Sequence, residues 1–482
     1  MSATLIRNGR VIDPARDVDA AMDVLIEEGL IAAVSPVGSF DHRKDVETLD
    51  AAGCIVAPGF IDLHVHLREP GQTHKETIQT GSRAAAAGGF TTICAMPNTT
   101  PVNDTAEWSR WMQAPERNAS VHVLPVAAAT VGSMGERLTD YAALKAAGAV
   151  AVSDDGKPIL KDEVMRACLI AAARVGLPVS QHAEDTRLTG GCSMHEGNVS
   201  FRLGLRGMTV EAESRIVERD IGLLEEIERI EKLRPHLHVQ HVSTQRALDA
   251  IRAAKARGLH VTCEVAPHHF ALTDEAIFSE TRGYDTRAKM NPPLRPESER
   301  QACIAALLDG TVDAIATDHA PHAHYEKNVE FERAPNGITG LETALGLALR
   351  LLNVEHGMPL QRVIALLTSG PARVFGLSGP DHDTGHNSGH NSGHKAGHNT
   401  GHNLSHNTGH NLSHDTGHNL SHKAGSLSVG VPADLCVFDA GAVWAFDAAA
   451  SLSKSKNTPF HDHAMQGRIL WTLVGGNIVF AK

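Results

Sequence analysis

The chain has 482 residues, 42% of them hydrophobic and 21% charged, with a formal net charge of −12. This excludes wholesale disorder and leaves room for one large domain and a small one. The acidic balance argues against nucleic acid as a partner, and no run reaches the roughly 18 consecutive apolar residues of a membrane span. The first nine residues lack an apolar signal region. The seven cysteines (Cys54, Cys94, Cys168, Cys192, Cys263, Cys303, Cys436) form no CxxC pair. A cytoplasmic location is the expectation.

Residues 1–54 read as antiparallel strands of a small β-domain. Segment 4–13 holds Asn8-Gly9 between apolar runs, a hairpin-type signal, and segment 23–34 repeats the pattern around Gly29. From Ile55 to Leu377 the pattern changes. Eight apolar runs (55–63, 91–96, 121–126, 149–153, 177–180, 237–240, 260–265 and 314–317) alternate with segments of helical period such as 80–87, 161–174, 211–233, 244–257 and 297–308. Eight such alternations predict an α/β fold, a (β/α)8 TIM barrel over 55–377. No GxGxxG follows a strand, which disfavours an open doubly wound sheet. In segment 378–424, histidine recurs every fourth residue from His382 to His422, accounting for 11 of the 30 histidines. Its Gly and Asn filler predicts a disordered insertion. A neutral repeat expansion is preferred over a low-affinity metal sponge, because surface loops tolerate insertion at small entropic cost. Residues 425–482 return to strands. They are expected to pair with residues 1–54 in one small β-sandwich.

The remaining histidines fall at strand ends. His64 and His66 share one face of the first strand, because strand residues two apart point the same way. Strand four ends in Asp154-Asp155-Gly156, strand five in Gln181-His182, strand six in Gln240-His241 and strand eight in Thr317-Asp318-His319. Five strands thus deliver His or Asp to one rim of the barrel, a donor set suited to zinc or a related divalent ion. Six ligands exceed the usual number for one zinc, so two ions sharing a carboxylate fit better.

The order HxH, Asp, His, His, Asp on such a barrel resembles the amidohydrolase superfamily. The segments 58–71 (PGFIDLHVHLREPG), 96–99 (MPNT), 154–156 (DDG), 291–295 (NPPLR) and 317–322 (TDHAPH) resemble class I dihydroorotase. The resemblance implies interconversion of N-carbamoyl-L-aspartate and L-dihydroorotate in pyrimidine synthesis. It implies two zinc ions bridged by Asp155 and a hydroxide, with His64, His66 and Asp318 on one ion and His182 and His241 on the other. Asp155 is preferred to Asp154 because the family's bridging residue directly precedes the glycine. Asp318 is the implied catalytic proton carrier, and Arg68, Asn98, Asn291, His322, Asn336 and Gly337 are the implied substrate contacts. Asn98 has a rival role in capping the turn before Pro101. His319 is left open, His268 and His269 either back the ligands or pack, and His195 reads as structural. A small-molecule substrate and a homo-oligomer are expected. Hydantoinases and allantoinases usually bridge their metals with a carboxylated lysine from strand four, where this chain has aspartates. A non-catalytic scaffold of aspartate transcarbamoylase typically loses ligands, and all are kept here; an active chain can still associate with that enzyme. The histidine-rich insertion has no counterpart in the family pattern, and Asn336 stands where relatives often carry an aromatic residue.

Overall fold

The computed structural model describes residues 3–281, 283–378 and 424–482. The histidine-rich repeat, expected to be a disordered insertion, lies outside the described residues.

The first five strands are β1 (Ala3–Asp13), β2 (Val18–Glu27), β3 (Leu30–Pro36), β4 (Val46–Asp50) and β5 (Ile55–Pro58). β1, β2 and β3 run antiparallel, but β4 and β5 both pair with β1 in parallel, which corrects the all-antiparallel expectation. The hairpin expected at Asn8-Gly9 is also absent. These residues form a bulge inside β1, where the register against β2 slips between Ile6 and Gly9 and Asn8 takes φ +62°. A left-handed residue serves a bulge as readily as a turn, so the dipeptide alone could not separate them. The expectation at Gly29 is borne out: Glu28 (φ +52°) and Gly29 (φ +79°) make a two-residue turn between β2 and β3.

The barrel strands are β6 (Phe60–Val65), β7 (Phe90–Ala95), β8 (His122–Ala127), β9 (Ala151–Val152) and β10 (Val179–Gln181). A short pair, β11 (Met194–His195) and β12 (Gly207–Met208), stands in the loop before β13 (Leu237–Val239) and β14 (Val261–Val265). A second pair, β15 (Phe278–Ser279) and β16 (Gly283–Tyr284), precedes β17 (Ala314–Ile315). Neighbouring barrel strands are all parallel, in the order β6-β7-β8-β9-β10-β13-β14-β17. A parallel bridge from Val65 to His319 closes the ring. The (β/α)8 barrel is therefore present, with its expected helices at Ile78–Ala87, Asp162–Val175, Glu211–Glu231, Gln245–Ala256 and Glu297–Asp309. Strand residues such as Phe90, Ile93 and Val179 pack with helix residues such as Ala85, Leu169, Leu224 and Leu248 in one apolar core.

β18 (Leu435–Ala445), β19 (Ala464–Val474) and β20 (Asn477–Ala481) complete the molecule. They join β1–β5 in a separate sheet through antiparallel pairing of β18 with β5. The apolar run 55–63, read as one strand, is thus two. Its first half belongs to the end sheet and its second to the barrel. Gly59 is the joint, its N–H donating to the Asp434 carbonyl at 2.9 Å. A Cβ there would come within 2.1–2.2 Å of the Thr91 side chain on β7. Gly59→Ala is therefore expected to destabilise the protein by about 1–3 kcal/mol through overpacking, read as a lower unfolding midpoint in denaturant.

Candidate metal centre

His64 lies within β6 and His66 one residue past it, both buried. Asp155, His182, His241 and Asp318 stand just beyond β9, β10, β13 and β17, and all four are buried as well. The ring closure is fixed by Asp62, whose Oδ1 accepts from the His64 N–H (3.0 Å) and the Thr317 N–H (3.1 Å). The first and last strands are thereby locked together beside His64 and Asp318. Three residues of the rim hold left-handed backbone: Arg68 (φ +59°), His241 (φ +30°) and Asp318 (φ +46°). Such conformations cost energy in non-glycine residues and cluster at functional sites.

Three of the four rings, those of His64, His66 and His182, have an outer partner that fixes the proton. Nδ1 of His64 lies 2.9 Å from Glu264 Oε1, and Nε2 of His182 lies 2.9 Å from Glu184 Oε2. An ionised carboxylate only accepts, so these nitrogens carry the hydrogen and the opposite nitrogens present lone pairs. Nδ1 of His66 donates to Asn98 Oδ1 at 2.8 Å, with the same consequence. The three bare nitrogens converge on Asp155 and Asp318. Nε2 of His64 is 3.4 Å from Asp155 Oδ1 and 3.5 Å from Asp318 Oδ1, and it is buried with no hydrogen-bond partner. Nε2 of His66 is 3.1 Å from Asp318 Oδ1 and 3.5 Å from Asp155 Oδ2. Nδ1 of His182 is 3.7 Å from Asp155 Oδ1 and 2.9 Å from His241 Nε2. Lone pairs facing carboxylate oxygens repel unless a cation lies between them. Most of these separations approach the edge of a tetrahedron of donors around zinc, about 3.3–3.4 Å for bonds of about 2.0–2.1 Å. The donor set fits a metal cofactor, and two groupings satisfy the spacing: His64, His66 and Asp318, and His64, Asp155 and His241.

Asp155 touches both imidazole sets. Asp154 turns away, its carboxylate accepting from the backbone N–H and hydroxyl of Thr130. Burial pushes the Asp155 carboxyl up, but positive charge placed among His64, His66 and His182 outweighs it and holds it well below the usual range. Burial likewise raises Glu264 and Glu184, and their histidine partners bring each down to about 2.

A cavity of about 280 Å³ opens onto these groups, lined also by Arg68, Asn98, Asn291, His322 and Asn336. Arg68 is buried. Its Nε donates to the Pro321 carbonyl at 3.2 Å, and its Nη2 stands 3.4 Å from His322 Nε2. That ring nitrogen donates to the Asn336 carbonyl at 2.8 Å, so it has no lone pair for Arg68. Burial, with Arg68 next in effect, pushes His322 down to about 2, so the ring is neutral. Burial lowers Arg68 to about 10 against the opposing pull of Asp318 and Asp155, and it stays cationic. Asn98 and Asn291 are partly engaged elsewhere: Asn98 donates to Asp155 Oδ2 (3.1 Å) and Asn291 to Glu184 Oε2 (2.8 Å). At Gly337 (φ +150°) a Cβ would come within 2.5 Å of the Ala320 carbonyl and 2.7 Å of the His322 ring. His319 faces Glu76 at 3.4 Å, and His195 pairs with Arg295 at 3.1 Å. His269 meets the Pro292 carbonyl at 3.0 Å.

Glu264 and Glu184 were not singled out by sequence reasoning. The signal for Glu264 was a lone carboxylate within the apolar strand Val261–Val265, where burial demands a partner.

The dihydro-orotase-like family model matches residues 53–247. A dihydroorotase of Anaeromyxobacter dehalogenans is 46% identical over 475 residues, covering 98% of this chain and 97% of its own. A dihydroorotase of Syntrophotalea carbinolica is 45% identical over 477 residues, covering 99% and 98%. The L-hydantoinase (dihydropyrimidinase) of Arthrobacter aurescens shares the fold, with a TM-score of 0.77, 23% identity and coverage of 100% and 97%. Among the described residues no helix is long and apolar enough to cross a membrane. Identity of that size, sustained over almost the whole chain, makes it a member of the dihydroorotase family.

Proposed function

We propose that the chain is a class I dihydroorotase, a zinc-dependent cyclic amidohydrolase that interconverts N-carbamoyl-L-aspartate and L-dihydroorotate. The observation that carries this reading is the convergence of bare imidazole nitrogens on Asp155 and Asp318. Two zinc ions are proposed, His64, His66 and Asp318 holding one, His182 and His241 the other, and Asp155 bridging. Charge supports the count. With neutral rings, the touching carboxylates of Asp155, Asp318, Glu184 and Glu264 carry four negative charges, which two dications balance. When bound, the metals lower the pKa of water toward neutrality and polarise the amide carbonyl.

Asp318 is the proposed proton carrier. In ring opening a water oxygen bonds to the amide carbon, the water proton passes to the Asp318 carboxylate, and Asp318 returns it to the ring nitrogen as the C–N bond breaks. Arg68, with Nη2 not used by His322, holds the substrate carboxylate. His322, Asn98, Asn291 and the backbone at Asn336-Gly337 complete the substrate contacts, Asn98 also steadying His66 and Asp155. The same reading places the enzyme in the cytoplasm as a homo-oligomer able to associate with aspartate transcarbamoylase; seven free cysteines support a reducing compartment.

The decisive experiment is metal analysis of the purified protein together with dihydroorotate hydrolysis. Fully metal-loaded protein that opens hydantoin or allantoin but not dihydroorotate would refute the substrate assignment. Asp318→Ala is expected to lower kcat by about 10²–10⁴-fold, the usual worth of a general acid–base, while metal analysis finds part of the metal still bound. Arg68→Met is expected to raise KM by about 10–100-fold, matching the loss of about 1.5–3 kcal/mol from a charged hydrogen bond, with metal content unchanged. Glu264→Gln is expected to weaken metal affinity by about 10–100-fold in a chelator competition, because His64 loses the charge that fixes its proton.

A further inference from the structure

The segment between β18 and β19 returns to the mouth of the barrel, and one side chain in it ties together two loops that border the cavity. Asn457 is 4% exposed. Its Oδ1 accepts from the His322 backbone N–H at 2.9 Å. Its Nδ2 donates to the Ala320 carbonyl and to the Gly337 carbonyl, each at 3.0 Å. Its own carbonyl accepts from the Thr339 N–H at 3.1 Å. The side-chain amide thus spends its oxygen and both hydrogens on backbone groups of the loop after β17 and of the 336–339 loop, and an amide is the group that supplies one acceptor and two donors in a plane.

Those loops also touch directly. Ala320 donates to the Ile338 carbonyl at 2.9 Å, and His322 Nε2 to the Asn336 carbonyl at 2.8 Å. The approach is so close that only glycine fits at 337. The rest of the segment is anchored on the same side. Lys454 N–H and the Ser453 hydroxyl reach Glu76, the carboxylate that faces His319, and the Ser455 hydroxyl donates to the Lys75 carbonyl at 2.6 Å.

We propose that Asn457 is a positioning residue for substrate binding, setting the spacing between His322 and the Asn336-Gly337 backbone. This rests on the reading that those groups contact the substrate. Asn457 lies three residues past Lys454 on a strap held to the barrel, so the end of the chain outside the barrel shapes the substrate side of the cavity. The metal side takes its geometry from the barrel strands and does not depend on this amide.

The test is steady-state kinetics on dihydroorotate with metal analysis for Asn457→Ala, Asn457→Asp and the exposed neighbour Lys456→Ala. Asp keeps the size and the acceptor but sets carboxylate oxygens against the Ala320 and Gly337 carbonyls. Both Asn457 variants are expected to raise KM on the order of 10–100-fold, the penalty of a misplaced binding group, with metal content at the wild-type level and kcat little changed. Lys456→Ala is expected to keep the wild-type KM. If Asn457→Ala does not fold, the near-isosteric Asp variant gives the result. Unchanged KM in the Asn457 variants, or kcat falling in step with lost metal at constant KM, overturns the proposal. Wild-type protein inactive on dihydroorotate overturns instead the substrate reading beneath it.

Discussion

Buried imidazole lone pairs aimed at carboxylate oxygens hold together only around positive charge, and the geometry of the barrel rim serves to produce that arrangement. The rings of His64, His66 and His182 are each turned by an outer partner, Glu264, Asn98 and Glu184, so that the nitrogen without hydrogen points inward. An isolated buried carboxylate would protonate. Asp155 does the opposite and stays ionised, because burial is outweighed by positive charge held among the rings around it. The left-handed backbone at His241 and Asp318 belongs to the same account. The loops that leave β13 and β17 bend sharply enough to bring side chains from opposite parts of the ring to one point.

The proposed ligands were legible in the sequence because each sits at a strand end, and a strand end in a parallel barrel has one address. His64 and His66 needed only the two-residue period; Asp155, His182, His241 and Asp318 needed only the count of β-α alternations. Which partner each supporting residue meets was not legible. Glu264 lies in the middle of an apolar strand, and its partners His64 and His238 come from other strands. The choice between Asp154 and Asp155 could not come from residue type, since both are aspartates. Thr130, a residue with no sequence signal of its own, distinguishes them by engaging the Asp154 carboxylate. The run 55–63 reads as one strand because it is apolar on both sides of Pro58-Gly59, although that dipeptide is a chain-breaking signal at the place where one sheet hands over to the other. The pairing shows it, β5 with β1 and β18 and β6 with β7.

The two sides of the cavity are built on different principles. On the side of His64, His66, Asp155 and His182, buried carboxylates and rings are held by strands and by one another, so their positions are set by hydrogen bonds between side chains. On the opposite side, Arg68 and His322 are held by backbone carbonyls, those of Pro321 and Asn336. A carbonyl can orient a cation or a ring without neutralising it, so Arg68 keeps its charge for an anion. His322, pushed neutral by burial and by that cation, adds polarity without adding repulsion.

The end sheet is joined to both sides. Through Gly59, β5 runs straight into β6, the strand that carries the HxH pair, and β5 is itself clamped between β1 and β18. From β18 the chain passes over the mouth, where Asn457 bonds the loops bearing His322 and Gly337, and only then enters β19. A sheet assembled from both termini can place its linking segment at the barrel rim only if the N-terminal strands already fix β18 in register. The Val56–Val437 pairing of β5 with β18 provides that register. The small sheet therefore fixes backbone that borders the cavity as well as joining the two end segments of the sequence.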